Sequence, residues 1–335
     1  MSIIQEADKN KLAIQRLTAL WALAESGLGG LFHALKMPFT GLIVGGIAIL
    51  LISLISYYSK NNWKTMMSAL VLVLIIKMTV SPHSQITAYI AVSFQAVSGY
   101  LLYRLLPFSP AAFLFAIIAL LESAFQKILV LTLLFGTELW TAIDKTGEWI
   151  IGKMNMLFDF SSSQLLIGIY TGIYLIGGVL LGILILQLIE FLNNSRIEDL
   201  PEIIVSKTEA KAGQNKSTWK KYRKYVILVI AFVGVVLFGF TQGMDSGWYI
   251  LFRTLLFLAL YFIIIGPLLL KLFKKRLSKK KEGLGQELDH IFDLIPYLRT
   301  IIILAWKEAS AFGWIKRWRE FFFRTVLYAL HFKKE

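Results

Sequence analysis

The chain contains no cysteine. Disulfides, thiolate-bound metals, CxxC redox chemistry, attached haem and cysteine nucleophiles are therefore excluded, since each needs a sulfur. Charge is scarce as well. Only 17% of the 335 residues are charged, against ~25% in soluble domains, and most of these cluster between apolar runs. Acids are the rarer sign, with 21 Asp and Glu against 35 Lys and Arg and a net charge of +14. Such a balance suits nucleic acid when it forms one surface. Here the basic residues fall in short blocks beside apolar segments, as in the cytoplasmic loops of membrane proteins, so nucleic acid is not an expected partner.

Catalytic signatures are missing too. There is no GxxxxGK[ST] to hold a nucleotide, no HExxH and no GxSxG. The four histidines, His33, His83, His290 and His331, lack metal-ligand spacing. Paired acids that bind magnesium and pyrophosphate are absent from the inner loops, because Glu198 and Asp199 are adjacent rather than spaced on one helical face. The expectation is a non-enzymatic chain with no cofactor and no metal. No internal repeat is evident, so an inverted-repeat secondary transporter is not expected.

What is present is apolar length. Hydrophobic residues make up 57% of the chain, and a helix needs ~20 of them to cross a hydrocarbon core ~30 Å thick. Eight segments qualify or nearly do, at 13–34, 39–58, 66–80, 86–106, 110–136, 163–192, 225–243 and 248–272. The expected fold is an all-α membrane protein of about eight transmembrane helices: a six-helix core over 1–192, a basic cytoplasmic linker at 193–224, two further spans within 225–272 and a basic amphipathic tail at 273–335. The N-terminal MSIIQEADKNKLAIQR has no early apolar core, so a cleaved signal is not expected. With the N-terminus inside, the basic residues of 193–224 and of 271–281 both fall on the cytoplasmic side, and the opposite loops hold few. This predicts a bacterial-type inner (plasma) membrane protein with both termini cytoplasmic.

Two non-spanning regions have helical spacing. Residues 138–160 form an outer connection whose charges forbid spanning. In 284–333, Ile291, Leu294, Leu298 and Ile302 make one stripe and Trp314, Trp318, Phe321 and Phe322 another, with Lys307, Lys316, Arg317 and Arg319 between. That pattern predicts amphipathic helices at the cytoplasmic interface, with anionic lipid headgroups as partners at 271–281 and 307–319.

Polar residues inside spans are costly and so informative. Glu25 lies mid-helix in the first span, Gln95 in the fourth, Glu122 and Gln126 one turn apart in the fifth, and Tyr170 and Tyr174 one turn apart in the sixth. They predict either a substrate-binding pocket or interhelical hydrogen bonds. His33, Lys36, Lys77 and His83 fall at the outer ends of the first and third spans. They predict a basic mouth that attracts an anion, or cations snorkelling to headgroups. Thr18, Ala22, Ser26, Gly30 and Ala34 recur every fourth residue along the first span. Such a smooth face predicts a tight helix contact, within this chain or as the docking face for a partner.

Ala22, Ser26 and Gly30, with KMPFTG at 36–41 and SPHSQITAYIAVSFQAVSGY at 81–100, resemble the substrate-binding S components of energy-coupling-factor (ECF) vitamin transporters. The likeness covers residues 1–192 at most; the last two spans and the tail lie outside it. It implies a six-helix core whose first helix docks a transmembrane coupling protein, with power from separate ATPases. It also implies a substrate captured from outside and reorientation of the subunit in the bilayer. An accessory or assembly subunit of a larger membrane complex, and an ion-coupled transporter using Glu25 and Glu122, are the other classes the residues allow.

Overall fold

The computed structural model describes residues 3–34, 39–81, 84, 86–154, 161–195, 204–205 and 281–334. The expected spans at 225–243 and 248–272, and most of the linker at 193–224, lie outside the described residues. The chain forms two compact units, one of Met1–Gln126, Ile169–Gly213 and Glu282–Glu335, the other of Lys127–Gly168 and Gln214–Lys281.

Among the described residues the secondary structure is almost wholly helical. Helix α1 (Ile3–Leu23) runs through a π-helical segment, Ala24–Leu28, into the short α2 (Gly29–Ala34). Then come α3 (Thr40–Tyr58), α4 (Trp63–Val80), α5 (Ile86–Leu105), α6 (Phe108–Phe135), α7 (Glu138–Met154) and α8 (Ser162–Asn194). The C-terminal region forms α9 (Lys281–Ala309) and α10 (Trp314–His331). Two short strands, β1 (Ile204–Val205) and β2 (Lys333–Lys334), pair in parallel.

Five of these helices, α3, α4, α5, α6 and α8, are long and apolar enough to cross a bilayer. They match the second to sixth expected spans to within three residues. The first expected span does not join them as one apolar helix. Arg16 charges its first half, Lys9 and Lys11 charge the part of α1 that precedes it, and the helix passes into the π segment Ala24–Leu28 around Glu25.

Helix α3 is the centre of the first unit. It is apolar on every side, as a fully surrounded helix must be, and Ala48, Ile49, Ile52 and Ile55 are fully enclosed. Helices α1, α4 and α5 pack around it. Its far end turns into α4 through Lys60 and Asn61, both at positive φ (50° and 58°). Asn61 is held there by donating from Nδ2 to the Tyr103 carbonyl at 2.7 Å. Asn62 caps α4 by accepting from the Thr65 amide. Between α5 and α3 the Tyr103 hydroxyl donates to Ser53 Oγ at 2.7 Å, and Ser53 donates onward to the Ile49 carbonyl.

Helix α8 is peripheral. Ile169, Ile173, Ile176, Leu180 and Ile183 follow a four-three spacing and are 38–62% exposed. A continuous apolar face this long is unfavourable in water and requires lipid or another apolar surface. On its inner side α8 touches α6 through glycine. A β-carbon at Gly178 would lie 2.7 Å from the Ile117 Cα, and one at Gly182 would lie 2.7 Å from Phe113 Cδ1. This Gly-xxx-Gly pair, in a helix otherwise full of Leu and Ile, allows backbone-level approach. Because Ile117 opposes Gly178 with backbone rather than a movable side-chain tip, Gly178→Ala is expected to destabilise by about 1–3 kcal/mol. A thermal-unfolding series in detergent, with Gly168→Ala as the control in open space, checks this.

In the second unit α7 is a surface helix, as its charges predict. Trp140 Nε1 donates to Thr132 Oγ1 at 3.0 Å. Asp144 caps the start of α8, accepting from the Ser163 amide at 2.7 Å and from Ser163 Oγ at 3.0 Å.

Helices α9 and α10 form an antiparallel hairpin. Ile291, Leu294, Leu298, Ile301, Ala305 and Ala309 line its buried side. Ile301 replaces the expected Ile302, because the buried stripe keeps an alternating three-four spacing through Ile291, Leu294, Leu298, Ile301 and Ala305. The two helices are clamped where Glu308 accepts from Arg324 at 2.9 Å and from the Tyr328 hydroxyl. Burial and the adjacent Glu308 carboxylate push the Tyr328 hydroxyl above its ordinary pKa. The hairpin rests on three bundle helices. Arg16, midway along α1, reaches the end of α10, Ser68 in the second turn of α4 donates to Glu287 at 3.1 Å, and the Phe191 ring near the end of α8 lies 5.3 Å from that of Phe323, tilted by 41°.

Candidate functional site

The polar residues inside the apolar bundle fall into two clusters. The first is built at the π segment. A π turn inserts one extra residue into the helical repeat, which re-aims the side chains around it and is frequent at functional positions. Here it turns Glu25 inward. Its carboxylate pairs with Lys77 of α4 at 2.5 Å, and the two side chains are only 4% and 2% exposed. The Lys77 ammonium also lies 5.8 Å from the centre of the Tyr89 ring of α5. Gly29 keeps the neighbourhood close, since a β-carbon there would sit 3.6 Å from Val44 and 4.0 Å from the Glu25 carboxylate.

This changes the reading of Lys77 alone among the residues of the expected outer mouth. Lys77 neither snorkels nor presents a free charge to an incoming anion, because it is enclosed and already neutralised by Glu25. The physical reason is position: Lys77 sits one turn inside the end of α4, on the side facing α1. The side chain of His33, and all of Lys36 and His83, lie outside what the structure describes.

The small-residue face is also used within the chain. Thr18, Ala22 and Ser26 are buried, and a β-carbon at Gly30 would meet Ser81 Oγ at 2.9 Å. The hydroxyls are satisfied on their own helix, Thr18 donating to the Ile14 carbonyl and Ser26 to that of Ala22. Thr18, Ala22 and Ser26 are thus covered by this chain, and Gly30 is half-buried. The side chain of Ala34 lies outside the described residues.

The second cluster gathers α3, α5, α6 and α8. Gly41 and Gly45 of α3 let polar groups approach. A β-carbon at Gly45 would lie 3.2 Å from Gln95 Nε2 and 3.7 Å from Ser123 Oγ, and one at Gly41 would lie 3.3 Å from Ser123 Cβ and 3.4 Å from the Tyr174 hydroxyl. Tyr170 donates to Tyr174 at 3.1 Å, and Phe39 stacks on Tyr170 with ring centres 5.8 Å apart. Phe39 caps α3 at φ 60°, a costly conformation for a bulky residue, and the two tyrosine rings hold it there. Beside Ser123, Glu122 Oε1 accepts from Gln126 Nε2 at 3.3 Å, and Gln126 also donates to the Thr87 carbonyl at 3.1 Å.

Two oxygens inside the bundle are buried without a hydrogen-bond partner, Gln95 Oε1 and Glu122 Oε2. Gln95 is 2% exposed. Of the expected residues, Gln95 and Tyr174 approach the Gly41–Gly45 face of α3 with Tyr170 beside them, Glu122 and Gln126 join each other and the Thr87 carbonyl of α5, and Glu25 and Lys77 are committed to each other. Gly41, Gly45, Ser123 and Phe39 complete the second cluster and were not legible as site residues. Glycine and serine in an apolar span carry no signal until the neighbour they admit is known. Among the described residues no group of three His, Cys, Asp or Glu is placed to hold a metal.

These features define a class: a polytopic, all-α membrane protein with a polar region buried between its helices. Comparison with known proteins adds no name to the class, for no protein-family model, curated protein or solved structure matches the chain.

Proposed function

We propose that this protein is the substrate-binding subunit of a multi-component uptake system in a bacterial-type inner membrane, with both termini cytoplasmic and with power supplied by separate membrane and ATPase partners. One observation carries the reading. The fold leaves Gln95 Oε1 and Glu122 Oε2 buried and unpaired inside the helix bundle, at a cost of ~1–3 kcal/mol for each such group. A ligand that donates hydrogen bonds from hydroxyl, amide or amine groups repays that cost on binding. The missing nucleotide motif fits an engine on another chain, as the likeness to ECF S components implies. A coupling partner would have to take a face other than Thr18–Ser26 of the first helix, since this chain already covers that one.

Native mass spectrometry of the gently purified protein tests the reading, with a retained small molecule as the expected result. Gln95→Leu is expected to abolish retention while leaving the melting temperature unchanged or higher, because it removes an unpaired buried polar group. No retained molecule, together with no saturable uptake by cells that express the protein with its partners, overturns the proposal. Transport by the protein reconstituted alone, abolished by Glu122→Gln, would replace it with an ion-coupled transporter.

A further inference from the structure

The tip of the α9–α10 hairpin carries aromatic side chains that the rest of the chain leaves uncovered. Trp306, Phe312, Trp314 and Trp318 are 37%, 38%, 80% and 46% exposed, and Ile303 beside them is 69% exposed. The patch is partly continuous: the Trp306 ring lies 5.1 Å from that of Trp318, and the Arg317 guanidinium stands 4.1 Å from the centre of the Trp306 ring. Its charges are unbalanced. The two nearby acids are engaged, Glu308 with Arg324 and Glu320 with Arg319 and Arg324. Among the described residues no carboxylate pairs with Lys307, Lys316 or Arg317.

Tryptophan and cations in this combination match the headgroup layer of a bilayer. The indole ring is amphipathic and settles at the interface, and basic residues are drawn to anionic phosphates. Placement names the occupant. Through Ser68 and Phe191 the hairpin is fastened to the first turns of α4 and the last turn of α8, both long and apolar enough to span, and through Arg16 to the middle of α1. A bilayer is therefore always within reach, whereas a protein partner would have to be recruited. We propose that residues 303–319 dock into an anionic lipid surface, in the leaflet on the hairpin's own side, with Trp306, Trp314 and Trp318 at headgroup level and Lys307, Lys316 and Arg317 on lipid phosphates. The proposal does not depend on the transport reading and holds equally for a non-transporting subunit.

The absence of cysteine makes the test direct. Ala311→Cys places the chain's one thiol in the exposed turn between the helices. It is labelled with an environment-sensitive fluorophore, and the full-length protein is reconstituted in nanodiscs of phosphatidylcholine alone or mixed with phosphatidylglycerol. Expected in the mixed discs are a blue-shifted emission and at least about a threefold fall in quenching by acrylamide. Salt at about 0.5 M reverses both by screening, and so does the exposed pair Lys307→Glu/Lys316→Glu. Equal, full access to acrylamide in both lipids overturns the proposal and points to a protein partner for the patch. Equal protection in both lipids, insensitive to salt, overturns it too, because the tip is then covered by this chain. The lipid exchange requires no further variant, so a folding defect in the charge-reversed protein leaves the result readable.

Discussion

Glu25→Ala is expected to destabilise the protein by about 3–5 kcal/mol, because it strands the Lys77 ammonium in an enclosed apolar site. Lys77→Met should cost a comparable amount by stranding the carboxylate. At 2.5 Å and under 5% exposure neither charge can turn to water without breaking the packing of α1 against α4. The double variant Glu25→Gln/Lys77→Met is expected to recover most of the loss. Two ions that balance each other in a low-dielectric interior contribute little net stability, and an apolar or neutral pair of similar volume replaces them at small cost. Thermal unfolding of the four proteins in one detergent completes the cycle. A double variant as unstable as the two single losses summed would show that the groups are not coupled and would remove the pair from the account.

The second large effect lies midway along α1. Arg16 Nη1 donates to the Leu330 carbonyl at 2.6 Å and Nη2 donates to that of Phe332 at 2.8 Å. The guanidinium also stands 4.3 Å from the centre of the Phe332 ring. The last carbonyls of a helix have no partner of their own, so this one side chain both ends α10 and fastens the hairpin to the bundle. Charge-assisted hydrogen bonds contribute about 1.5–3 kcal/mol each, less when lost together. Arg16→Ala is therefore expected to release the end of α10 at a cost of about 2–3 kcal/mol, read as a rise of roughly 30- to 150-fold in amide hydrogen exchange over 323–331. Arg16→Lys should restore only part of the protection, because a point charge cannot bridge two carbonyls as a planar fork does. Unchanged exchange in Arg16→Ala would show that apolar packing alone holds the hairpin.

Much of the architecture was legible because its physical cause is local. Any run of about 20 apolar residues must leave water as a helix, so Thr40–Tyr58 and Phe108–Phe135 could be read almost to their ends. The first span was harder. Its composition mixes charges and small residues, and nothing in LAESGLGG marks a π segment, which depends on how Glu25 and Ala24 meet their neighbours. Lys77 shows the same limit. A lysine near the end of a span has two physically reasonable destinations, headgroups or an internal carboxylate, and only the direction of its side chain separates them.

The small-residue ladder was visible, but what it packs against was not. The ladder that brings α6 and α8 into contact, Gly178 and Gly182, is equally plain in the sequence once the opposing Ile117 and Phe113 are known. Of the polar residues, spacing alone put Glu122 with Gln126 and Tyr170 with Tyr174, because one turn of helix guarantees a shared face. The approach of Gln95 and Tyr174 to one face of α3 needed three helices to be packed.

Composition and periodicity by themselves determined that this is a multi-span helical membrane protein with amphipathic helices near its C-terminal end, since hydrophobic burial acts on every apolar run wherever it lies in the chain. Tertiary structure alone decided that Glu25 neutralises Lys77, that Arg16 fastens α10, and that Gln95 and Glu122 each keep a buried oxygen unpaired. The first two facts depend on contacts between residues 52 and 316 positions apart, and only the packing of the helices brings such residues within hydrogen-bonding range.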